Sequence, residues 1–197
     1  MTVEICRGHC VDLLQQETRN FDLIVTDPPY AFGGTGDEHA LSASVAIGLR
    51  GAASRLNRGR WMLVACASSW RSTIYMVEAL RGVLEPVRIG HWGKPVARTK
   101  ARTPGWAWAS VNVIAFRKGK AKTDSAPLGT PRLDHIICEP LKVGRRAELP
   151  PEVAEWMVAP FAVAGGMFLD PFCGSGALVR AASQAQMRAV GYEKGVE

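Results

Sequence analysis

The stretch "FLDPFCGSGALVRAA", Phe168 to Ala182, decides the fold. Apolar residues run into Asp170, a Gly-Ser-Gly turn follows at Gly174 to Gly176, and the spacing predicts a helix from Ala177. Strand, glycine turn and helix in that order make half of a βαβ unit, the building block of a parallel sheet. Gly174 and Gly176 let the backbone come close to a ligand at the helix N-terminus. The next strand ends at a second acid, Glu193, about 20 residues after Gly174, where dinucleotide folds grip a ribose diol. The third glycine of that fingerprint is missing, because position 179 is Val. Read alone, the stretch fits a tight strand-to-helix turn capped by Asp170 equally well.

Outward from this stretch, strands and helices alternate. Val3–Cys6, Phe21–Thr26, Trp61–Cys66, Val87–Trp92, Val111–Phe116, Met167–Leu169 and Arg188–Tyr192 read as strands. Helices are expected over Cys10–Glu17, Asp37–Asn57, Trp70–Arg81, from Pro151 onward, and over Ala177–Gln186. Leu41, Val45, Leu49, Ala52 and Leu56 recur at spacings of three and four, with Asn57-Arg58-Gly59 as a stop. Ser69 suits an N-cap, with Ile74 and Val77 facing inward and Gly82 closing the helix. Pro151 suits a first helical position, and Val153, Trp156 and Met157 share a face. The alternation predicts an α/β three-layer sandwich with a mixed, mostly parallel sheet of seven strands. Residues 93–110 and 119–149 have no clear period and read as basic loop insertions in one domain spanning 1–197.

Composition narrows the class. At 197 residues, 47% hydrophobic and 21% charged, the chain is one ordinary globular domain. No apolar run approaches the roughly 20 residues of a membrane span, and the N-terminus is not a signal peptide. A cytoplasmic chain in a bacterium or a phage-infected cell is the expectation. The five cysteines are scattered, and no second pair follows Cys6, His9 and Cys10 at zinc-finger spacing. No metal site is expected.

Charge is more informative, with 24 Lys+Arg against 18 Asp+Glu. The excess concentrates between Arg88 and Arg146, a block that includes Lys94, Arg98, Lys100, Arg102, Arg117, Lys118 and Arg132. Trp92, Trp106 and Trp108 are interleaved with it. Cations with aromatics suit nucleic acid, the cations for phosphates and the rings for bases. The competing reading is a solvated surface.

In parallel sheets, ligands bind beyond the carboxyl ends of the strands where the strand order reverses. One other predicted strand end is unusual: "IVTDPPYAFGG", Ile24 to Gly34. An acid, two residues without a backbone donor and an aromatic ring follow a buried strand. Together, Asp27-Pro28-Pro29-Tyr30 and Asp170-Pro171-Phe172-Cys173-Gly174-Ser175-Gly176 resemble the S-adenosylmethionine-dependent DNA amino-methyltransferases. These methylate the exocyclic nitrogen of adenine or cytosine. The acid-proline motif comes first and the glycine turn last, the circularly permuted order of the beta class. The resemblance spans nearly the whole chain, from Ile5–Leu14 through Leu149–Met157 to Glu193.

The resemblance implies a Rossmann-like methyltransferase sheet, with the two motif strands as central neighbours. It implies S-adenosylmethionine as cofactor and DNA as partner. Asp170, Phe172, Gly174 and Gly176 would shape the methionine and ribose pocket. Glu193 would hold the ribose hydroxyls, and His9 and Cys10 would lie against the cofactor's adenine. Asp27 would accept one N–H of the target amine and the Pro28 carbonyl the other. Pro28 and Pro29 would keep that acceptor aimed, while Tyr30 and Phe32 stack on a flipped base. Lys94, Arg98, Lys100 and Arg102 would meet the nucleic acid. Asp in the first motif position leans towards adenine N6, with cytosine N4 as the alternative. The class often forms homodimers; a restriction endonuclease partner is undetermined from sequence.

Three departures bear on cofactor grip. Relatives often carry an acid at the place of His9 and two threonines at Ala177 and Leu178. Where they often have Gln-Lys-Pro, this chain has Cys138-Glu139-Pro140, with Lys142 as the substitute cation. Two readings from other classes compete. A silent nucleic-acid-binding subunit would usually show a broken acid-proline motif, and here it is intact. A nucleotide-dependent oxidoreductase would use the glycine turn, but the third glycine is absent.

Overall fold

The structure, a computed structural model, describes residues 2–29, 38–95, 109–120, 132–141 and 148–195, with backbone alone over 38–42. In chain order it contains β1 (Val3–Arg7), α1 (Cys10–Gln16), β2 (Phe21–Thr26), α2 (Glu38–Arg55) and β3 (Leu56–Ala67). Then come α3 (Trp70–Leu80), β4 (Glu85–Gly93), β5 (Ser110–Arg117), β6 (His135–Ile137) and α4 (Pro151–Val158). A 3-10 turn at Ala159–Phe161 leads to β7 (Met167–Asp170), α5 (Ala177–Gln184) and β8 (Arg188–Glu193). Among the described residues no helix is long and apolar enough to cross a membrane.

The strands form one sheet in the order β1-β8-β7-β2-β3-β5-β4-β6. Among the described strands only β5 runs against the rest, antiparallel to both β3 and β4. Among the described residues the sheet therefore has eight strands, not the seven expected. The extra strand is β6, whose His135 pairs with His91 of β4 at the sheet edge. It lies inside the stretch read as structureless. Three residues hold too few alternations to show a strand period.

The strand order reverses between β7 and β2, which pair in parallel through Leu23↔Phe168 and Ile24↔Leu169. All four side chains at this seam are fully buried. Each contributes roughly 1.5–3 kcal/mol of hydrophobic stabilisation, so the seam beneath both motifs is firmly packed.

Pleat alternation divides the core into two layers. Leu23, Val25, Leu63 and Ala65 pack with Val153, Met157, Leu178 and Ala182 of α4 and α5. Ile24, Met62, Val64 and Cys66 pack with Leu14, Leu49, Met76 and Leu80 of α1, α2 and α3. That is the three-layer sandwich. Phe21 joins the second layer although it lies two residues from Leu23, because the β2–β3 register shifts between them. Asp22, at the irregularity, ties three elements. It accepts from Met167 N at 3.1 Å and Asn57 Nδ2 at 3.1 Å, and pairs with Arg60 Nε at 3.3 Å.

Two helix expectations change. Asn57-Arg58-Gly59 is not a helix stop but part of β3, since α2 passes into the strand at Leu56 with no loop. The carbonyls at the end of α2 find their donor elsewhere. Lys118 Nζ donates to Ala53 O at 3.0 Å, Ser54 O at 2.8 Å and Leu56 O at 2.8 Å. In α3, Ile74 faces solvent, 54% exposed, and Ser72, Thr73, Met76, Ala79 and Leu80 face inward. Ser69 caps this helix as expected, its Oγ accepting from Ser72 N at 3.1 Å.

Candidate active site

Each wall of the site starts from a strand end. β7 ends at Asp170, which is fully buried. Its Oδ1 accepts from Thr26 Oγ1 at 2.7 Å and from Phe172 N at 3.1 Å. Burial pushes this carboxyl up to about 7, against the pull of those two hydrogen bonds. Asp170 therefore braces the ends of β2 and β7 from beneath. Sequence reasoning misses Thr26, whose one signal is a hydroxyl closing the buried apolar run Leu23–Val25.

The turn after Asp170 depends on its glycines. Gly174 has φ +50° and Gly176 φ +80°, the left-handed region that other residues enter at a cost of roughly 1–2 kcal/mol. Gly176 caps α5, and its N donates to Cys173 O at 2.7 Å. Gly174 N donates to Glu193 Oε2 at 2.8 Å, so the acid ending β8 is already fixed against the turn. Gly8 N donates to Glu193 O at 3.0 Å and brings the β1–α1 turn alongside.

His9 caps α1, its Nδ1 accepting from Val11 N at 3.3 Å. A ring nitrogen that accepts a backbone N–H carries no proton. The other nitrogen, Nε2, then holds the proton and donates to Ser44 Oγ at 3.1 Å. Both ring nitrogens are thus engaged within the protein, and His9 clasps α1 to α2. Close packing there needs Gly48, where a Cβ would sit 2.8 Å from Cys10 Sγ and 2.9 Å from Phe172 Cζ.

These walls enclose a cavity of about 350 Å³ lined by His9, Cys10, Asp27, Pro29, Phe172, Gly174 and Glu193 among others. A smaller one of about 140 Å³ adjoins it and shares Asp27, Phe172 and Gly174, adding Asp170, Glu148 and Leu178. A Cβ on Gly174 would meet no protein atom within 4 Å, so it would project into open space. A carboxylate, bare backbone and an aromatic wall around such a cradle fit a nucleoside-sized ligand. Burial pushes the thiols of Cys10 and Cys66 up to about 11 and that of Cys173 up to about 12, so none supplies a thiolate nucleophile.

The family model described as DNA methylase, covering N6 and N4 methyltransferases, matches residues 68–197. The chain belongs to this DNA methylase family. Solved structures agree on the fold. The M1.HpyAVI–SAM complex superposes with a TM-score of 0.77 at 18% identity, over 98% of this chain and 94% of that one. The PvuII DNA methyltransferase, cytosine-N4-specific, gives 0.78 at 14% identity, over 99% and 83%. The Thermus thermophilus protein TTHA0409, complexed with S-adenosyl-L-methionine, gives 0.71 at 21% identity, over 98% and 89%. No curated protein sequence matches significantly.

Within this methylase the structure brings together Asp27, Pro29, His9, Cys10, Asp170, Phe172, Gly174 and Glu193 around the paired cavities. Pro28 is buried behind the rim, and Gly176 serves the turn rather than the lining. Ser44 and Lys194 also line the larger cavity. Ser44 comes from the middle of α2, a position with no sequence signal. Tyr30, Phe32, Arg98, Lys100, Arg102, Trp106, Trp108 and Lys142 lie outside the described residues.

The basic block is not one continuous face. Arg117 pairs with Glu85 at 3.1 Å, Arg132 pairs with Glu155 at 2.6 Å, and Lys118 caps α2. Because β5 is antiparallel, Arg117 and Lys118 sit at the end of the sheet opposite Asp27. Lys94 lies at the same end of the sheet as Asp27, its Nζ 4.8 Å from the centre of the Trp92 ring. Trp92 itself is only 6% exposed and donates through Nε1 to Cys138 O at 2.9 Å, so it is a core residue and not a base-stacking one.

Proposed function

We propose that this methylase transfers a methyl group from S-adenosylmethionine to the N6 amine of adenine in DNA. The supporting observation is the shared cavity: Asp27 and the Gly174 turn leave adjacent parallel strands at the reversal point and line the same space. S-adenosylmethionine is the cofactor, and bound there it supplies a methyl activated by its sulfonium. Glu193 holds the ribose hydroxyls with the carboxylate oxygen left beyond its bond to Gly174 N. Phe172 and Cys10 wall the adenine, and the open side of Gly174 lets the ligand approach the backbone.

An exocyclic amine is a poor nucleophile because its lone pair is delocalised into the ring. Asp27 accepts one of its N–H groups and the Pro28 carbonyl the other, which aims the lone pair at the methyl. Pro28 and Pro29 fix φ, so that acceptor pair is preset. The nitrogen would become cationic only as the new C–N bond forms and the methyl C–S bond breaks, its electron pair leaving on sulfur as a neutral thioether, and it would then release a proton to solvent. No separate general base is required. A base inside a duplex cannot reach Asp27, so it is extruded at a cost of a few kcal/mol. Stacking on Tyr30 and Phe32 offsets part of that cost. Lys94, Arg98, Lys100 and Arg102 contact the phosphates. A homodimer is part of this reading, checked by sedimentation.

Incubation with S-adenosylmethionine and unmethylated DNA, followed by nucleoside mass spectrometry, tests the proposal. N6-methyladenine is expected. N4-methylcytosine would replace the target base, and no methylated nucleoside from protein that binds the cofactor would refute the reaction.

A further inference from the structure

The four described tryptophans divide sharply. Trp92 is 6% exposed and Trp156 9%, while Trp61 lies 5.3 Å from the Phe161 ring, centre to centre. Trp70 is 82% exposed. It is the first residue of α3, where tryptophan has no helical advantage, and it adds nothing to either core layer. Tryptophan is strongly buried on average, so an indole left in water at a defined place asks for a reason.

Its place is the end of the sheet on which the site opens. β3 is the neighbour of β2, with Val64 beside Thr26. The chain therefore passes the level of Asp27 at about Ala65 and reaches Trp70 just beyond. Ser110, where β5 begins, and Lys94, just past the end of β4, lie at the same end of the sheet.

The backbone on both sides of Trp70 is tied down. Ser69 N donates to Ala67 O at 2.7 Å, and Thr73 N donates to Ser69 O at 3.0 Å. Ser68 Oγ donates to Ser110 O at 3.0 Å. Asn112 Nδ2 donates to Thr73 Oγ1 at 3.2 Å. The indole is thus presented on a preorganised platform, not on a loose loop. Arg71, exposed, stands next to it.

We propose that Trp70 is a nucleic-acid contact that stacks on a substrate base beside the target nucleotide. The inference rests on the nucleic-acid reading above. Every base has a π-face, so such a contact adds affinity without reading sequence, and a neighbouring cation suits the adjacent phosphate. It also suits a site that extrudes its target, since unstacking exposes the face of a flanking base.

Binding of a fluorescein-labelled, mixed-sequence single-stranded oligonucleotide, followed by anisotropy, tests it. Trp70→Ala is expected to weaken binding about 5- to 150-fold, the range of base–aromatic stacking, and Trp70→Phe to keep most of the affinity. S-adenosylmethionine affinity and melting temperature stay at wild-type values in both. Wild-type binding by Trp70→Ala overturns the inference. So does a Trp70→Ala effect confined to oligomeric state in sedimentation, which would make this end of the sheet a protein interface. A wild-type protein that binds cofactor but no oligonucleotide or duplex fails at the substrate reading itself, and the Trp70 contact falls with it.

Discussion

Replacing Gly174 with alanine separates what the backbone needs from what a ligand needs. At φ +50° an alanine pays about 1–2 kcal/mol of left-handed strain. The stiffer unfolded chain returns about 0.4–1 kcal/mol. The net loss is about 1 kcal/mol, a fall of roughly 2–4 °C in Tm for a chain of this length. Gly165 is the matched control. It has φ +73°, an added Cβ there also meets nothing within 4 Å, and it precedes β7 at the opposite end of the sheet from the cavity. Gly165→Ala should show a similar Tm loss with unchanged S-adenosylmethionine affinity. Gly174→Ala places a methyl in the cradle, an overpacking cost of about 1–3 kcal/mol, or roughly 5- to 150-fold in Kd. Calorimetric titration and thermal melts of both variants read the two effects apart. Equal cofactor affinity in the two variants would refute the assignment of this turn to the cofactor.

Asp27→Ala should abolish methyl transfer in a single-turnover assay while leaving S-adenosylmethionine affinity near wild type; surviving activity would remove Asp27 from the chemistry. Lys118→Met strips the donor from three carbonyls at the α2–β3 junction. It should cost about 2–4 kcal/mol, read as a loss in denaturant midpoint, because hydrogen bonds to charged groups are worth more than neutral ones. Glu17 gives a pH signature. Burial works against its carboxylate, but hydrogen bonds from Arg19 and Tyr192 outweigh it and hold the group down to about 2. A folded value below the unfolded one, about 4.3, means stabilisation that is complete above that pH and lost as pH falls towards 2. Glu17→Gln should therefore destabilise at neutral pH, with the gap to wild type closing in acid, as urea titrations at the two pH values would show. Nucleic-acid affinity should fall steeply with salt in proportion to the phosphates contacted.

The fold was legible because its signals are local. A strand running into a glycine turn and a helix, and a buried strand ending in Asp27-Pro28-Pro29, show in consecutive residues. Period and capping residues placed the helices to within a few residues. Ser69 and Pro151 open α3 and α4 where the sequence puts them. Ile74 was misplaced because Thr73 and Ser72, polar by composition, turn inward to hydrogen-bond Asn112 and complete the cap.

By itself the sequence determined the βαβ alternation, the two acid-bearing strand ends and the glycines of the turn, since each follows from neighbouring residues and backbone stereochemistry. Only the tertiary structure decided which charged and aromatic groups are left for a ligand. Arg117, Lys118 and Arg132 are taken by partners distant in sequence, Trp92 is covered by Cys138, and His9 is engaged by Ser44 from another helix. Trp70, one tryptophan among six in the sequence, stands exposed at the end of the sheet on which the site opens. Hydrogen bonds and burial across the chain set those assignments, and no local pattern records them.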